Sequence, residues 1–147
     1  MTATKYGKYI IEDDRGRPEK DCRDQDEFQR IMPTICNPVT YLDNKMVDGN
    51  FYLECMWYHS PSEASIGRHT HDFDEVLGFY GSNPADYHDL GAEVELWLGD
   101  EKHLLTRSCT VFVPAGLEHC PLVIRRVDRP FFHFSGGAAK AYDKTAR

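Results

Sequence analysis

The chain has 147 residues, of which 41% are hydrophobic and 28% are charged, and its formal net charge at pH 7 is −7. This length and composition are typical of one soluble globular domain. The acidic balance argues against nucleic acid as a partner, because binding to phosphates requires a basic surface. No apolar stretch reaches the ~18 residues of a membrane-spanning helix, so we expect no membrane partner.

The N-terminal stretch contains no apolar core of a signal peptide, which favours a cytoplasmic protein. Five cysteines, an odd number without a Cys-x-x-Cys pair, agree with reduced thiols in that compartment.

Residues 1–30 are rich in charges and poor in apolar periodicity. They predict a polar, partly flexible arm with a short helix near residues 24–29. The next segment, IMPTICNPVTYL (31–42), has two prolines and a β-branched bias. We expect it to form an edge strand or an extended arm.

The rest of the chain alternates short β-prone stretches with turn signals. The strand NFYLECMWYH (50–59) comes first, and AEVELWLGDEKHLLT (92–106) is typical of a hairpin that turns at Gly-Asp. Further strands are predicted in CTVFVPAG (109–116), HCPLVIRRV (119–127) and PFFHFS (130–135). This spacing predicts an all-β sandwich or barrel over residues 31–136, with a frayed or weakly helical tail over 137–147.

The segment GRHTHDFDEV (67–76) contains the residues with the clearest chemistry. In a regular strand His69, His71 and Glu75 point the same way, because alternate residues share a face. Imidazole and carboxylate groups together suit divalent ions such as Fe, Mn, Ni, Co or Zn. A His-x-His pair is also common as plain surface polarity, so this segment alone leaves both interpretations open. A further ligand from His119, just after the turn in VPAGLEH, favours the metal site.

These two segments resemble the two sequence motifs of the cupin superfamily. His69, Thr70, His71 and Glu75 match the first motif, and the Pro-x-Gly turn with His119 matches the second. The first motif's opening glycine is replaced by Glu63, and Ser108 and Val123 stand where the second motif usually has glycine and asparagine.

The cupin resemblance implies a double-stranded β-helix, or jelly-roll barrel, with an extended N-terminal arm. It also implies one divalent transition metal (Fe, Mn, Ni or Zn) per chain, bound by His69, His71, Glu75 and His119. We further expect a homodimer, partly from the family and partly because residues 31–42 could add a strand to a second copy's sheet edge.

Other side chains are candidates for a substrate pocket. Leu77 and Phe79 continue the parity of Glu75, Tyr58 ends a strand near the expected barrel mouth, and His133 lies in an apolar strand. Cys120 follows His119 directly and is expected to point away from the interior. No general acid or base can be assigned from the sequence.

Two classes of function follow from this interpretation. The first is a metal-dependent enzyme acting on a small molecule, of oxygenase type or an isomerase or lyase, since open positions on the ion can take substrate or dioxygen. The second is a non-catalytic cupin that binds or senses a small ligand. A structural barrel with a vestigial site is a third interpretation.

Overall fold

A computed structural model describes residues 4–17, 26–139 and 145–146 of the chain. Among these residues a short 3-10 helix spans Gly7–Tyr9 and one α-helix, α1, spans Asp26–Ile35. The strands are β1 Cys36–Leu42, β2 Tyr52–Tyr58, β3 Ser62–Ile66, β4 His69–Thr70, β5 Glu75–Tyr80, β6 Asp89–Leu98, β7 Glu101–Arg107, β8 Cys109–Val113, β9 His119–Val127, β10 Phe131–Gly137 and β11 Thr145–Ala146. This helix is too short to cross a membrane, and no other described helix is long and apolar enough.

The strands form two antiparallel sheets that enclose one core. The first sheet has the order β1-β2-β10-β5-β8, and the second has the order β11-β4-β9-β6-β7, with β3 also paired to β9. Apolar side chains from both sheets pack together between them, including those of Met56, Phe79, Val94, Leu122 and Phe131. The predicted all-β class and the jelly-roll architecture are confirmed.

Strict alternation in the first sheet decides which side chains reach the interior. In β5 the buried side chains of Glu75, Leu77 and Phe79 share one face, while Val76 and Tyr80 are only half-buried on the other. The predicted hairpin is also present, because β6 and β7 pair around Gly99–Asp100 with Gly99 at φ +61°. The glycine takes this conformation without the steric penalty that a Cβ would bring.

The N-terminal region differs from its prediction. The helix predicted near residues 24–29 spans Asp26–Ile35, so the first part of the expected extended arm is helical. Met32 and Ile35 are buried three residues apart, and this amphipathic spacing favours a helix even with Pro33 in its last turn. The edge-strand prediction holds from Cys36 onward, since β1 is an edge of the first sheet.

Both termini contact the barrel where the structure describes them. Arg17 forms an ion pair with Glu54, at 3.1 Å between Nε and Oε2, and the backbone N–H of Tyr41 donates to the carbonyl of Asp13. At the other end β11 pairs with β4, so the expected frayed or helical tail is a strand at Thr145–Ala146. Residues 1–3, 18–25, 140–144 and 147 lie outside the described part, and with them much of the predicted flexible arm.

Candidate metal centre

Three buried histidines meet where β4 and β9 pair. His69 and His119 are direct register partners, and their ring centroids lie 4.4 Å apart. His71 follows β4 immediately, with its ring centroid 4.8 Å from that of His69. One nitrogen from each of these three rings lies within 4.8 Å of the others, so the group could hold a metal ion.

The Pro-x-Gly turn brings His119 to His71. The backbone N–H of Gly116 donates to the carbonyl of His71 at 2.8 Å, and the N–H of Ala115 donates to Oδ1 of Asp74 at 2.9 Å. Gly116 adopts φ +83°, a conformation that glycine reaches without strain. Two hydrogen bonds therefore join the two motifs, which are about 40 residues apart in sequence, into one unit.

Backbone carbonyls orient two of the imidazoles. Nδ1 of His69 lies 2.6 Å from the carbonyl oxygen of Gly67, and Nδ1 of His119 lies 2.9 Å from that of Leu117. A carbonyl only accepts, so each Nδ1 carries the proton and donates. Each Nε2 then has its lone pair available, which is the tautomer that a metal-binding histidine needs.

Glu75 supplies a carboxylate between two of these rings. Its Oε1 lies 3.2 Å from Nε2 of His119, and its Oε2 lies 3.3 Å from Nε2 of His71. The buried Nε2 of His119 makes no well-aligned hydrogen bond with any described residue. In the neutral tautomer of His119 two acceptors face each other, and a cation between them would remove the repulsion. The donor set therefore fits a divalent ion such as Fe, Mn, Ni or Zn.

The carboxyl group of Glu75 is ionised in this environment. Burial by itself would raise the pKa of Glu75, but the neighbouring polar groups of His119, His71 and Tyr52 outweigh burial and hold the pKa far below its usual range. Glu75 thus offers a negative charge to a bound cation at neutral pH.

A glycine lets Tyr52 reach Glu75 across an intervening strand. Tyr52 and Glu75 are each register partners of Gly137, which lies on β10 between β2 and β5. Gly137 has no side chain, and the ring of Phe73 lies over it. Phe73 stacks on His71 with centroids 4.7 Å apart and meets Tyr52 edge to face at 5.6 Å. Phe73 therefore packs against His71, and Tyr52 holds Glu75 by a hydrogen bond.

The expected pocket residues lie deeper in the same sheet. All four are buried: Leu77, Phe79, Tyr58 and His133. Leu77 and Phe79 follow Glu75 on β5 by two and by four residues. His133 on β10 is the register partner of Phe79. Tyr58 lies at the opposite end of β2 from Tyr52 and stacks on Phe131, with 5.3 Å between ring centroids. Their contact with a substrate stays a prediction, and Leu77 has the position nearest to the histidines.

Burial keeps His133 neutral. Its Nδ1 donates to the carbonyl of Gly78 at 2.8 Å, and burial lowers the pKa of His133 to about 4 against the smaller opposing effects of that carbonyl and of Glu75. The predicted outward direction of Cys120 is wrong, because this residue is buried in the core. The register between β6 and β9 shifts at this point and Cys120 has φ +72°, so alternation after His119 is interrupted.

Sequence reasoning missed Tyr52, Gly137 and Phe73 as parts of this centre. Phe73 shares the parity of His71 and Glu75, and this signal was available. Tyr52 and Gly137 have no local signal, because only the register of β2, β10 and β5 brings them to Glu75.

Comparison with known proteins supports the fold. No protein-family model matches the chain, and no curated protein matches it. Among solved structures, an oxalate oxidase in complex with glycolate aligns with 78% of this chain at 11% identity and a TM-score of 0.51. A cupin-2 domain from Rhodospirillum rubrum aligns with 74% of this chain and 63% of its own at 8% identity and a TM-score of 0.48. KdgF from Halomonas sp. aligns with 88% of this chain and 93% of its own at 12% identity and a TM-score of 0.47.

The two antiparallel sheets and the likeness to the oxalate oxidase structure support the cupin-like jelly-roll fold that the sequence resemblance implied. The chain spans 56% of the length of the oxalate oxidase chain. At such low identity the likeness concerns the fold.

Proposed function

We propose that this protein is a metal-dependent enzyme that acts on a small organic molecule at one divalent ion held by His69, His71, His119 and Glu75. The observation that carries the proposal is the pairing of Glu75 with two buried imidazoles. The ionised carboxylate of Glu75 faces the Nε2 atoms of His71 and His119 at 3.3 and 3.2 Å. These three groups together can donate electron pairs to one cation. Four protein ligands leave two positions on a six-coordinate ion for substrate, water or dioxygen.

A divalent ion supplies Lewis-acid polarisation of a bound oxygen group and, with Fe or Mn, a redox partner for dioxygen. The chain supplies the orientation and the electrostatics. Gly67 and Leu117 fix the rings of His69 and His119, and Tyr52 holds the carboxylate of Glu75 by its hydroxyl group. Such outer contacts raise the basicity and the rigidity of ligands.

Beyond Glu75, the same face of β5 carries the buried apolar side chains of Leu77 and Phe79. This apolar wall would exclude water from a bound molecule. His133 is the titratable group in this wall. It is neutral at pH 7 because burial lowers its pKa to about 4, and since its Nδ1 donates to Gly78, its other ring nitrogen can accept a hydrogen bond from a bound molecule. We favour oxygenase chemistry over isomerase or lyase chemistry, and His133 as an acceptor is compatible with each.

The first experiment measures metal. The purified protein is loaded separately with Fe, Mn, Ni and Zn, desalted and analysed for bound metal per chain, alongside His71→Ala and His103→Ala. His103 is a partly exposed histidine on β7 and is the matched control. We expect close to one ion per chain in the wild type and in His103→Ala, and a loss of at least tenfold in His71→Ala with unchanged circular dichroism. Equal metal content in all three proteins would contradict the site and favour a vestigial barrel.

The second experiment tests catalysis. Oxygen uptake and product formation are followed with the metal-loaded protein against vicinal diols, enols, thiols and keto acids. Glycolate, which is present in the oxalate oxidase structure, is added to this panel. Metal-dependent turnover that is absent in His71→Ala supports an enzyme. Stoichiometric metal without turnover of any compound, but with saturable binding of one of them, would instead establish the non-catalytic binder.

A further inference from the structure

Polar side chains lie beside the metal centre on the inner face of the first sheet. Glu54 on β2 and Ser135 on β10 are register partners, and Ser135 pairs in turn with Leu77, which follows Glu75 by two positions on β5. Glu54 alternates in phase with the buried side chains of β2, as Ser135 does with buried His133, so both point inward. The interior next to Glu75 therefore contains a second carboxylate and a hydroxyl group.

These two polar side chains are more accessible than the apolar side chains further along the sheet. Ser135 is half-buried and the side chain of Glu54 is 21% exposed, whereas Phe79 and Tyr58 are 0% and 1% exposed. The part of the interior that solvent reaches next to the metal centre is therefore polar.

Arg17 brings a positive charge to Glu54 from the N-terminal arm. Its Nε lies 3.1 Å from Oε2 of Glu54 and its Nη2 lies 3.2 Å from Oε1, so the ion pair is bidentate. A guanidinium group has five N–H donors, and this pairing uses two of them. Nη1 of Arg17 makes no hydrogen bond with any described residue, and the side chain is 23% exposed. Arg17 thus has donors available for a second carboxylate.

A cavity of about 260 Å³ gives access to Arg17. It lies where α1 meets the start of β1, and it is lined by Arg17, Met32, Pro33 and residues 36–38. Among the described residues that line it, Arg17 is the only charged one. The volume is slightly below the range of common ligand sites, about 300–1,000 Å³. A small organic molecule can therefore reach the guanidinium group.

The Arg17–Glu54 pair is close enough to the metal centre for one small molecule to contact both. Two strand spacings of about 4.8 Å and two residues of about 3.4 Å separate Glu54 from Glu75, so their Cα atoms lie about 12 Å apart. Burial raises the pKa of Glu54 and Arg17 opposes this rise, while the charge of Glu75 adds to it. The two carboxylates thus share one electrostatic environment.

We propose that the substrate is a small organic acid whose carboxylate is recognised by Arg17 while its reacting group lies at the metal centre. This inference rests on the proposed function. A divalent ion, Glu75, Arg17 and Glu54 together carry one positive charge when the imidazoles are neutral, so the site favours an anion. A cationic substrate would increase the buried charge, which is costly. Arg–carboxylate hydrogen bonds are also among the strongest that a side chain can form.

The test is isothermal titration calorimetry with succinate, glutarate and adipate, each compared with its monomethyl ester. One carboxylate takes the place of the reacting group, and esterification removes the second charge. The proteins are the wild type, Glu54→Gln, the double variant Arg17→Met with Glu54→Gln, and Arg15→Met, each in Zn-loaded and in metal-free form. Because the double variant removes both charges of the ion pair, no unpaired Glu54 repels the probe. Arg15 has an exposed side chain on the same arm and is the matched control.

We expect the wild type and Arg15→Met to prefer at least one acid over its ester by tenfold or more. Glu54→Gln should bind that acid more tightly still, because no protein carboxylate then competes for Arg17. In the double variant the preference for the acid should be at least tenfold smaller than in Glu54→Gln. Equal preferences in these two variants would overturn the inference, because the second carboxylate would then not contact Arg17.

This comparison separates the substrate class from the proposed function. If the protein takes up no metal, the proposed function fails, and the same pair of variants in metal-free form still decides whether Arg17 binds a carboxylate. Circular dichroism checks folding. If the double variant does not fold, Glu54→Gln decides against the wild type, since a purely structural ion pair predicts no gain in binding of the acid.

Discussion

Tyr52 and Glu75 are joined by a hydrogen bond although the strand β10 separates them in the sheet. The contact is possible because their common register partner is Gly137, which places no side chain between them. The ring of Phe73 lies over the same glycine and stacks on His71. Gly137, which has no side chain, thus allows both the hydrogen bond from Tyr52 to Glu75 and the packing of Phe73 against His71.

Tyr52→Phe removes the hydroxyl donor and keeps the ring. We expect it to lower metal affinity about tenfold, because contacts of this kind contribute about 10–100-fold to metal affinity. Competition with a chromophoric chelator at pH 7 measures this change. The exposed Tyr87 supplies the control variant Tyr87→Phe, which should bind metal like the wild type. Equal affinity in both variants would show that Tyr52 does not position Glu75.

Gly137→Ala places a methyl group 2.8 Å from the ring of Phe73 and from the carbonyl oxygen of Asp74. We expect a loss of about 1–3 kcal/mol in the free energy of unfolding, as for other overpacked interiors, and weaker metal binding. Urea unfolding gives the first quantity and chelator competition gives the second. At Gly49 a Cβ meets only the Val47 carbonyl oxygen at 3.9 Å, so Gly49→Ala should change neither.

His133 makes the stability of the metal-free protein depend on pH. Burial lowers the folded-state pKa of His133 to about 4 from 6.5, so the unfolded chain binds the proton first as the pH falls. This stabilising contribution is complete above pH 6.5 and is lost as the pH falls towards 4, by about 3 kcal/mol in total. The free energy of unfolding, measured at pH 7, 5.5 and 4, should therefore decrease less with falling pH in His133→Gln than in the wild type. A pH dependence identical to that of the wild type would show that His133 is not protonated by unfolding.

Arg17 anchors the N-terminal arm to Glu54. The two side chains are each about one-fifth exposed, burial raises the pKa of Glu54, and the charge of Arg17 opposes that rise. Arg17→Met leaves a largely buried carboxylate without its counterion and should cost about 1–3 kcal/mol. The double variant with Glu54→Gln should recover part of this loss, and thermal unfolding of all four proteins gives the coupling energy. Strict additivity would show that the ion pair contributes nothing.

Acid should release the metal through the histidines and not through Glu75. Metal binding requires neutral imidazoles, whereas the low pKa of Glu75 keeps its carboxylate ionised. We expect bound metal to fall below about pH 5, because protons then compete with the metal for the imidazole nitrogens. Metal content after desalting at stepwise pH, with circular dichroism as the control for folding, tests this. Full occupancy well below pH 5 in folded protein would argue against histidine ligands.

The sequence by itself determined the strands, the hairpin at Gly99–Asp100 and the order of the two motifs. Hydrophobic alternation and turn residues are local properties, and they can be recognised without knowing which strands become neighbours. The common burial of His69, His71 and Glu75 followed from alternation in the same way.

Only the tertiary structure decided which distant residues complete the centre. The register across β10 brings Tyr52 to Glu75 through Gly137, and the shift at Cys120 reverses a direction predicted from alternation. Pairing between strands is set by packing over the whole barrel, and no local stretch of residues contains that information.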